Sequence, residues 1–355
     1  MEAAKTEKPE PITTRTEILF VYDIADANPN GDPNDENRPR MDLEAGRAKV
    51  SDVRLKRTIR DYLHDYCGEE IFCRQIEKAD GTIQEGKDRA EDFFEQLSKD
   101  AKKDVKNVLE KRDFIEAGVI AQCIDIRLFG ATIPVSGLKK EGKDSSVTLT
   151  GAVQFAMGTT LHRVEPRFIK GTGAFASGQG AQQKTFREEY NLPYGLIAIY
   201  GIVNQKAAET TKLTSEDAER LYEAIWYGTK SLITRSKIGQ RPLLLVLVEY
   251  DDGHSKHYVG RLDQFLDLKR GKDGGVTIGE PSANGDCEIR DEALRDVTQV
   301  TLDITELGKV LSGRKERIAR IRFAWNKLLK LSQEPQEQDA KWTFLGCNAE
   351  KLEFD

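Results

Sequence analysis

Apolar positions first gather at Glu17–Asp23 (EILFVYD), a β-branched and aromatic run with the length and unbroken character of a buried strand. It ends in a loop rich in Asn, Pro, Gly and Asp, ADANPNGDPNDENRPR. The residues before it carry Pro, Lys, Glu and Thr without periodicity, and 1–16 are predicted to form a disordered tail. The pattern turns helical at Ser51, a good N-cap. On a helical wheel Leu55, Ile59, Tyr62, Leu63 and Tyr66 form one apolar stripe, and Arg54, Lys56, Arg57, Arg60 and His64 cover the opposite face. From Asp80 to Glu116 the chain is charged and helix-favouring, with apolar positions too sparse for a central helix. A peripheral helical insertion is predicted over 68–122.

Beyond it, Asp125–Gly130 (DIRLFG) and Val147–Gln154 (VTLTGAVQ) bracket a Gly/Lys-rich loop expected to be mobile, and strand character returns at Ala152–His162. Gly171, Gly173, Gly178 and Gly180 then lie between two extended stretches, which predicts a long hairpin over 166–192. Gly171, Gly173 and Ala176 satisfy a relaxed dinucleotide-binding pattern, but the strand-like LIAIYGIV follows where that motif requires a helix. Thr214 with Asp217 signals the cap of a second long helix running to Thr234, with apolar positions Leu221, Ile225, Leu232 and Ile233. Pro242–Tyr250 (PLLLVLVEY) has strand length, His257–Leu262 and Val297–Ile304 are expected in the same sheet, and 267–290 reads as a flexible insertion. This succession predicts an α+β fold of the RNA-recognition-motif (ferredoxin-like) type over 17–355, enlarged by insertions.

A hydrophobic fraction of 38% and a charged fraction of 32% allow one sizeable core. No apolar run approaches the roughly 20 residues that cross a bilayer, and the first residues lack a signal-peptide core, so a cytoplasmic protein is expected. The five cysteines contain no CxxC pair and read as reduced thiols. His64, Cys67 and Cys73 lack a fourth ligand at zinc spacing, and His254 and His257 fall in a polar turn. The net charge of −6 argues against nucleic acid until its distribution is considered. Between Arg38 and Arg60 eight basic residues face three acidic ones, leaving +5 there and −11 elsewhere: one basic face on an acidic body.

The loop Asp26–Asn37 begins like a calcium-binding EF-hand, but its twelfth position is Asn37 rather than Glu, Pro29 and Pro33 interrupt it, and a strand precedes it. A rigid Asx-turn loop is the simpler reading. Asp23, Asp26, Asp32 and Asp35 are magnesium candidates, although turn carboxylates are more often solvated. No nucleophile elbow, HExxH or Walker loop is present, and neither cofactor nor metal is expected. Three features favour nucleic acid instead. The strand-end loop offers Asn28, Asn30, Arg38 and Arg40; Arg47, Lys49 and the helix start at Ser51, Arg54, Lys56, Arg57 and Arg60 lie close in sequence; and Thr234–Arg241 (TRSKIGQR) supplies Arg235, Lys237 and Arg241.

NPNGDP (Asn28–Pro33), RPRMD (Arg38–Asp42), VSDVRLKRTIRDY (Val50–Tyr62), DIRLFG and LTGAVQF (Leu149–Phe155) occur in one order. Together they resemble the Cas-seven superfamily, specifically the type I-B and I-C backbone subunits of the CRISPR Cascade complex, over about residues 17–265. The resemblance implies an RNA-recognition-type palm, a helical finger and a β-hairpin thumb, in a non-catalytic protein whose copies stack as a helical filament along crRNA and present it to target DNA. It also implies partner Cascade subunits: a crRNA-end cap, a large and a small subunit. The Arg47–Arg60 and Thr234–Arg241 stretches would grip the RNA backbone. The thumb would displace a base, with Phe168 and Phe175 as wedge candidates and Arg167, Lys170 and Lys184 for phosphates. Type III relatives imply the rival expectation, a metal-dependent RNA-cleaving subunit using Asp26, Asp32 or Asp35.

Overall fold

The computed structural model describes residues 10–78, 80–101, 105, 107–137, 144–176, 184–282, 285–338 and 341–354. They form a mixed α and β architecture in two compact units. The sheet unit comprises Thr16–Leu55, Phe155–Ile202 and Thr229–Asp355; the helical unit comprises the chain up to Arg15, Lys56–Gln154 and Val203–Gly228.

In the sheet unit the first apolar run forms the strand Thr16–Ala27, central and buried on both faces: Ile18 to Val21 are 0% exposed. It pairs antiparallel with Arg241–Tyr250, Leu19 opposite Val246, and neighbours Lys184–Val203 on its other side. Gly158–Thr160, Arg47–Val50 and Met41–Asp42 continue the sheet on that side. On the other side Ile318–Trp325 pairs with Arg241–Tyr250, and Cys347–Lys351 runs parallel to it. A core including Leu19, Tyr194, Leu196, Leu244, Val246, Ile321 and Phe323 lies against this sheet.

Two expected strands are corrected. His257–Leu262 is not in the sheet; the chain there passes between 3-10 turns at Asp252–His257 and Leu262–Phe265. The reason is the carboxylate of Glu17, 0% exposed in the central strand, which accepts from the backbone N–H groups of Val259 (2.9 Å) and Gly260 (2.6 Å). The same carboxylate accepts from the hydroxyls of Tyr200 (2.7 Å) and Tyr250, so a buried charge holds the loop by charge-assisted bonds. Val297–Ile304 yields only the short strand Thr301–Asp303, in a separate small sheet with Asp267–Leu268 and Lys330–Leu331. Within 267–290, Val276–Ser282 pairs antiparallel with Gly285–Ile289.

The helical unit has its own core. Phe72, Phe93, Ile115, Val119, Ile126, Ile133, Val147 and Leu149 pack where helices Gly86–Ala101 and Val108–Gln122 meet the hairpin of Gly130–Val135 with Ser145–Thr150. DIRLFG supplies the helix Ile124–Phe129, which ends at Gly130 with φ of 66°. A Cβ there would meet the Leu149 carbonyl at 2.1 Å, so only glycine fits. Residues 1–9 of the expected tail, and 138–143 of the loop expected to be mobile, lie outside the described residues. Of the rest of the tail, Ile12 N–H donates to the Leu213 carbonyl (2.8 Å) and Arg15 to Gln205 and Asn204 (both 3.0 Å). Thr214 and Asp217 cap the helix Ser215–Ser231 reciprocally (3.0 and 3.2 Å). That helix stops short of the predicted Thr234, and Ile233 is 74% exposed rather than part of its apolar face.

Candidate nucleic-acid interface

The loop after the central strand is a folded scaffold. Gly31–Asp32 pairs with Arg38–Pro39, and Asp32 accepts from the Asn34 N–H (3.0 Å), the expected Asx turn. Asn28 Nδ2 donates to the Asn37 carbonyl (2.7 Å). Asn30 Oδ1 accepts from the backbone N–H and hydroxyl of Ser51 (2.8 and 2.9 Å), and Ser51 Oγ accepts from the Arg54 N–H (3.3 Å) at the start of the helix Asp52–Asp65. These polar residues therefore fix the loop and the helix start.

A backbone bond joins the second basic segment to the first. Asn28 N–H donates to the Ser236 carbonyl (2.9 Å), inside a tight turn in which Thr234 and Lys237 exchange N–H to carbonyl bonds of 3.3 Å. The turn exposes Arg235, with Glu189 at 3.5 Å, and half-buries Lys237. Burial lowers the pKa of Lys237, and the positive charge of Arg54 lowers it further. Two like charges held this close favour an anion between or beside them, and the helix N-terminus next to them adds N–H donors and positive partial charge.

Of the hairpin expected over 166–192, Arg167–Ala176 pairs antiparallel with Lys184–Val203 in the sheet unit, with Arg167 opposite Asn191 and Phe168 opposite Tyr190, and 177–183 lie outside the described residues. Lys170 pairs with Glu188 (3.1 Å), and Arg167 and Phe168 are exposed. The side chains of Phe175 and Lys184 lie outside the described residues. Tyr190, which the sequence reading did not single out, is the link: the Arg38 guanidinium lies 4.5 Å from its ring centre and donates to its hydroxyl (2.9 Å). Around this contact the loop residues Asn28 and Asn37, the hairpin residues Glu188–Asn191 and Arg235 line a cavity of about 200 Å³.

Other candidates are placed differently. Arg40 pairs with Asp32 (2.8 Å), and Asp35 lies 3.7 Å from Arg38, so two of the loop carboxylates carry cationic neighbours. Lys49 reaches Asp42 (3.4 Å) and the Thr159 hydroxyl (3.3 Å), with Arg47 half-buried on the same short strand. Arg241 faces inward: it grips the buried carboxylate of Asp23 with two bonds (3.0 and 2.6 Å) and reaches Asp296 (3.0 Å). In the helical unit Lys56 donates to Gln154 (3.1 Å) and the exposed Arg57 to Asp61 (3.0 Å). Arg60 is mostly buried against Asp125 (2.9 Å) and over the Phe129 ring. Among the described residues no group of three or more His, Cys, Asp or Glu is placed to hold a metal ion, and no helix is long and apolar enough to cross a membrane. Burial, then the nearby Asp125, pushes the Cys73 thiol up to about 11.

The family described as CRISPR-associated protein Cas7 matches residues 14–304. The chain belongs to the Cas7 family. A relative from Haloferax volcanii, also named CRISPR-associated protein Cas7, is 32% identical over 353 residues, covering 93% of each chain. Among solved structures, a chain of a "CRISPR RNA-guided surveillance complex, pre-nicking" matches 90% of this chain and 96% of its own length, with a TM-score of 0.50. At 14% identity that likeness speaks for the fold.

Proposed function

We propose that the chain is a non-catalytic crRNA-binding backbone subunit of a type I CRISPR RNA-guided surveillance complex. The observation that carries the reading is the Asn28–Ser236 bond: it holds the Arg235–Lys237 turn against the loop bearing Arg38, beside the capped helix start and Arg54. Membership of the Cas7 family supports it, and the NPNGDP and LTGAVQF segments support type I. In this reading the sheet unit is the RNA-recognition-type palm and Pro166–Leu192 the thumb, its exposed Phe168 the wedge that displaces a base of a neighbour's RNA.

The mechanism is a uniform grip. Arg38, Arg54, Arg235 and Lys237 in one unit, and Lys56 and Arg57 in the other, hold phosphates without reading base edges. Any guide sequence is thereby accepted, and target choice is left to pairing with DNA. Successive copies form a helical filament, completed in the cytoplasm by end-cap, large and small subunits. The cationic neighbours of Asp32 and Asp35 support a structural role for those carboxylates rather than an RNA-cleaving one.

The test is fluorescence anisotropy with single-stranded RNAs of unrelated sequence over a salt series. The reading expects near-equal affinities and a log–log salt slope of about −0.7 per phosphate contact, flattened by roughly 1.4 in Arg235→Glu/Lys237→Glu. Unchanged affinity in that variant would overturn it. Magnesium-dependent cutting of RNA paired to the guide, lost in Asp26→Ala, would favour the type III-like alternative.

A further inference from the structure

The helix Val108–Gln122 in the helical unit is apolar on two faces. Ile115 and Val119, both 0% exposed, fill the core, while Ala117, Ile120 and Ala121 open onto a groove of about 1020 Å³ that Pro11 also lines. A helix with two apolar faces is normally covered on both of them. The rim is acidic: Glu10 and Glu116 line the groove and have no ion-pair partner among the described residues. Two cations, Arg127 and Lys212, line the groove against five carboxylates: Arg127 is neutralised by two bonds to Asp217 (2.8 and 2.7 Å) and donates to the Ile120 carbonyl (3.0 Å), and Lys212 Nζ donates to the Glu209 carbonyl (2.7 Å).

We propose that this groove docks a basic, partly apolar helical segment of a partner protein. Its volume stands at the top of the small-ligand range of about 300–1,000 Å³, and its strip of small aliphatic side chains suits one face of an amphipathic helix. Glu10 and Glu116 select Lys and Arg along that segment's edge and repel nucleic acid. Docking buries the apolar strip and compensates both carboxylates at once.

The experiment titrates the full-length protein with a fluorescein-labelled amphipathic peptide carrying Lys and Arg on its polar face and Leu and Ala on the other. The control peptide keeps the apolar positions and replaces every cation with Glu. Saturable one-to-one binding of the basic peptide alone is expected, weakened about tenfold by Glu116→Lys and by Ala121→Arg, with melting temperature and RNA affinity unchanged. Ala121 is exposed, so its variant keeps the test valid if another substitution disturbs folding. Equal binding of both peptides, or indifference to both substitutions, overturns the proposal. A rise in peptide affinity on deleting residues 1–9 also overturns it, by making the chain's own first residues the occupant.

Discussion

Replacing Arg241 separates a fold residue from an RNA ligand. Asp23 is 1% exposed in the central strand, and both its oxygens accept from the Arg241 guanidinium. Arg241→Ala leaves that carboxylate buried and uncompensated, a change that costs about 3–5 kcal/mol for a fully buried pair. The Arg241 side chain is 35% exposed, so water reaches the site and the expected loss is roughly 2–3 kcal/mol. At 1.4 kcal/mol per decade, the unfolded fraction rises about 30- to 150-fold. The loss depends on pH. Burial raises the Asp23 pKa even though Arg241 lowers it, and without the arginine it rises further. A carboxyl raised above its unfolded value becomes less destabilising as pH falls through the folded pKa. The deficit of Arg241→Ala is therefore full near pH 7 and shrinks towards about pH 4. Asp23→Asn in the same background recovers part of it. Urea denaturation of RNA-free protein at both pH values reads this directly. Wild-type stability combined with lost RNA affinity would refute the reasoning and make Arg241 an RNA ligand.

In the helical unit, Arg60→Ala strips the cation from Asp125, which keeps two backbone N–H bonds from Phe72 (2.8 Å) and Cys73 (3.1 Å); a loss of about 2–3 kcal/mol in thermal unfolding is expected, and an unchanged melting curve contradicts it. Glu17→Gln removes one charged acceptor from four donors, at a cost of about 3 kcal/mol, and hydrogen exchange at the Val259 and Gly260 amides accelerates; unaltered protection there counts against the buried-anion account. Lys237→Met removes a half-buried cation repelled by Arg54, so RNA-free protein gains up to about 1 kcal/mol while the RNA salt slope drops by about 0.7. Because the Lys237 pKa is lowered, wild-type RNA affinity falls as pH rises through a range below that of ordinary lysines, a loss absent from the Met variant.

Local signals carried the sequence reading furthest. EILFVYD, the Ser51 cap and the Thr214–Asp217 capping pair depend on neighbours a few residues away, and each formed the expected element. Ile318–Trp325 (IARIRFAW) was missed because Arg320 and Arg322 interrupt its apolar pattern; those arginines are accommodated by Glu249 and Glu350 from adjacent strands. His257–Leu262 has strand-like composition, but its amides go to a carboxylate more than 240 residues earlier in the chain. The candidate site divides the same way. Clustered charge pointed to the two basic loops, yet nothing local to Arg241 reveals that Asp23, 218 residues away, turns it inward. Tyr190 acquires its role only because antiparallel pairing sets it opposite Phe168 and within reach of Arg38.

The central claim is a sequence-neutral grip that assembles copies along RNA. Mass measurement of the purified protein mixed with guide RNAs of increasing length tests it most directly, with Lys56→Glu/Arg57→Glu in parallel. The account predicts that the number of copies bound grows in proportion to RNA length whatever the sequence, and that the charge reversal and high salt abolish the growth. A protein that keeps one mass with every RNA, or whose assembly ignores the charge reversal, would contradict it.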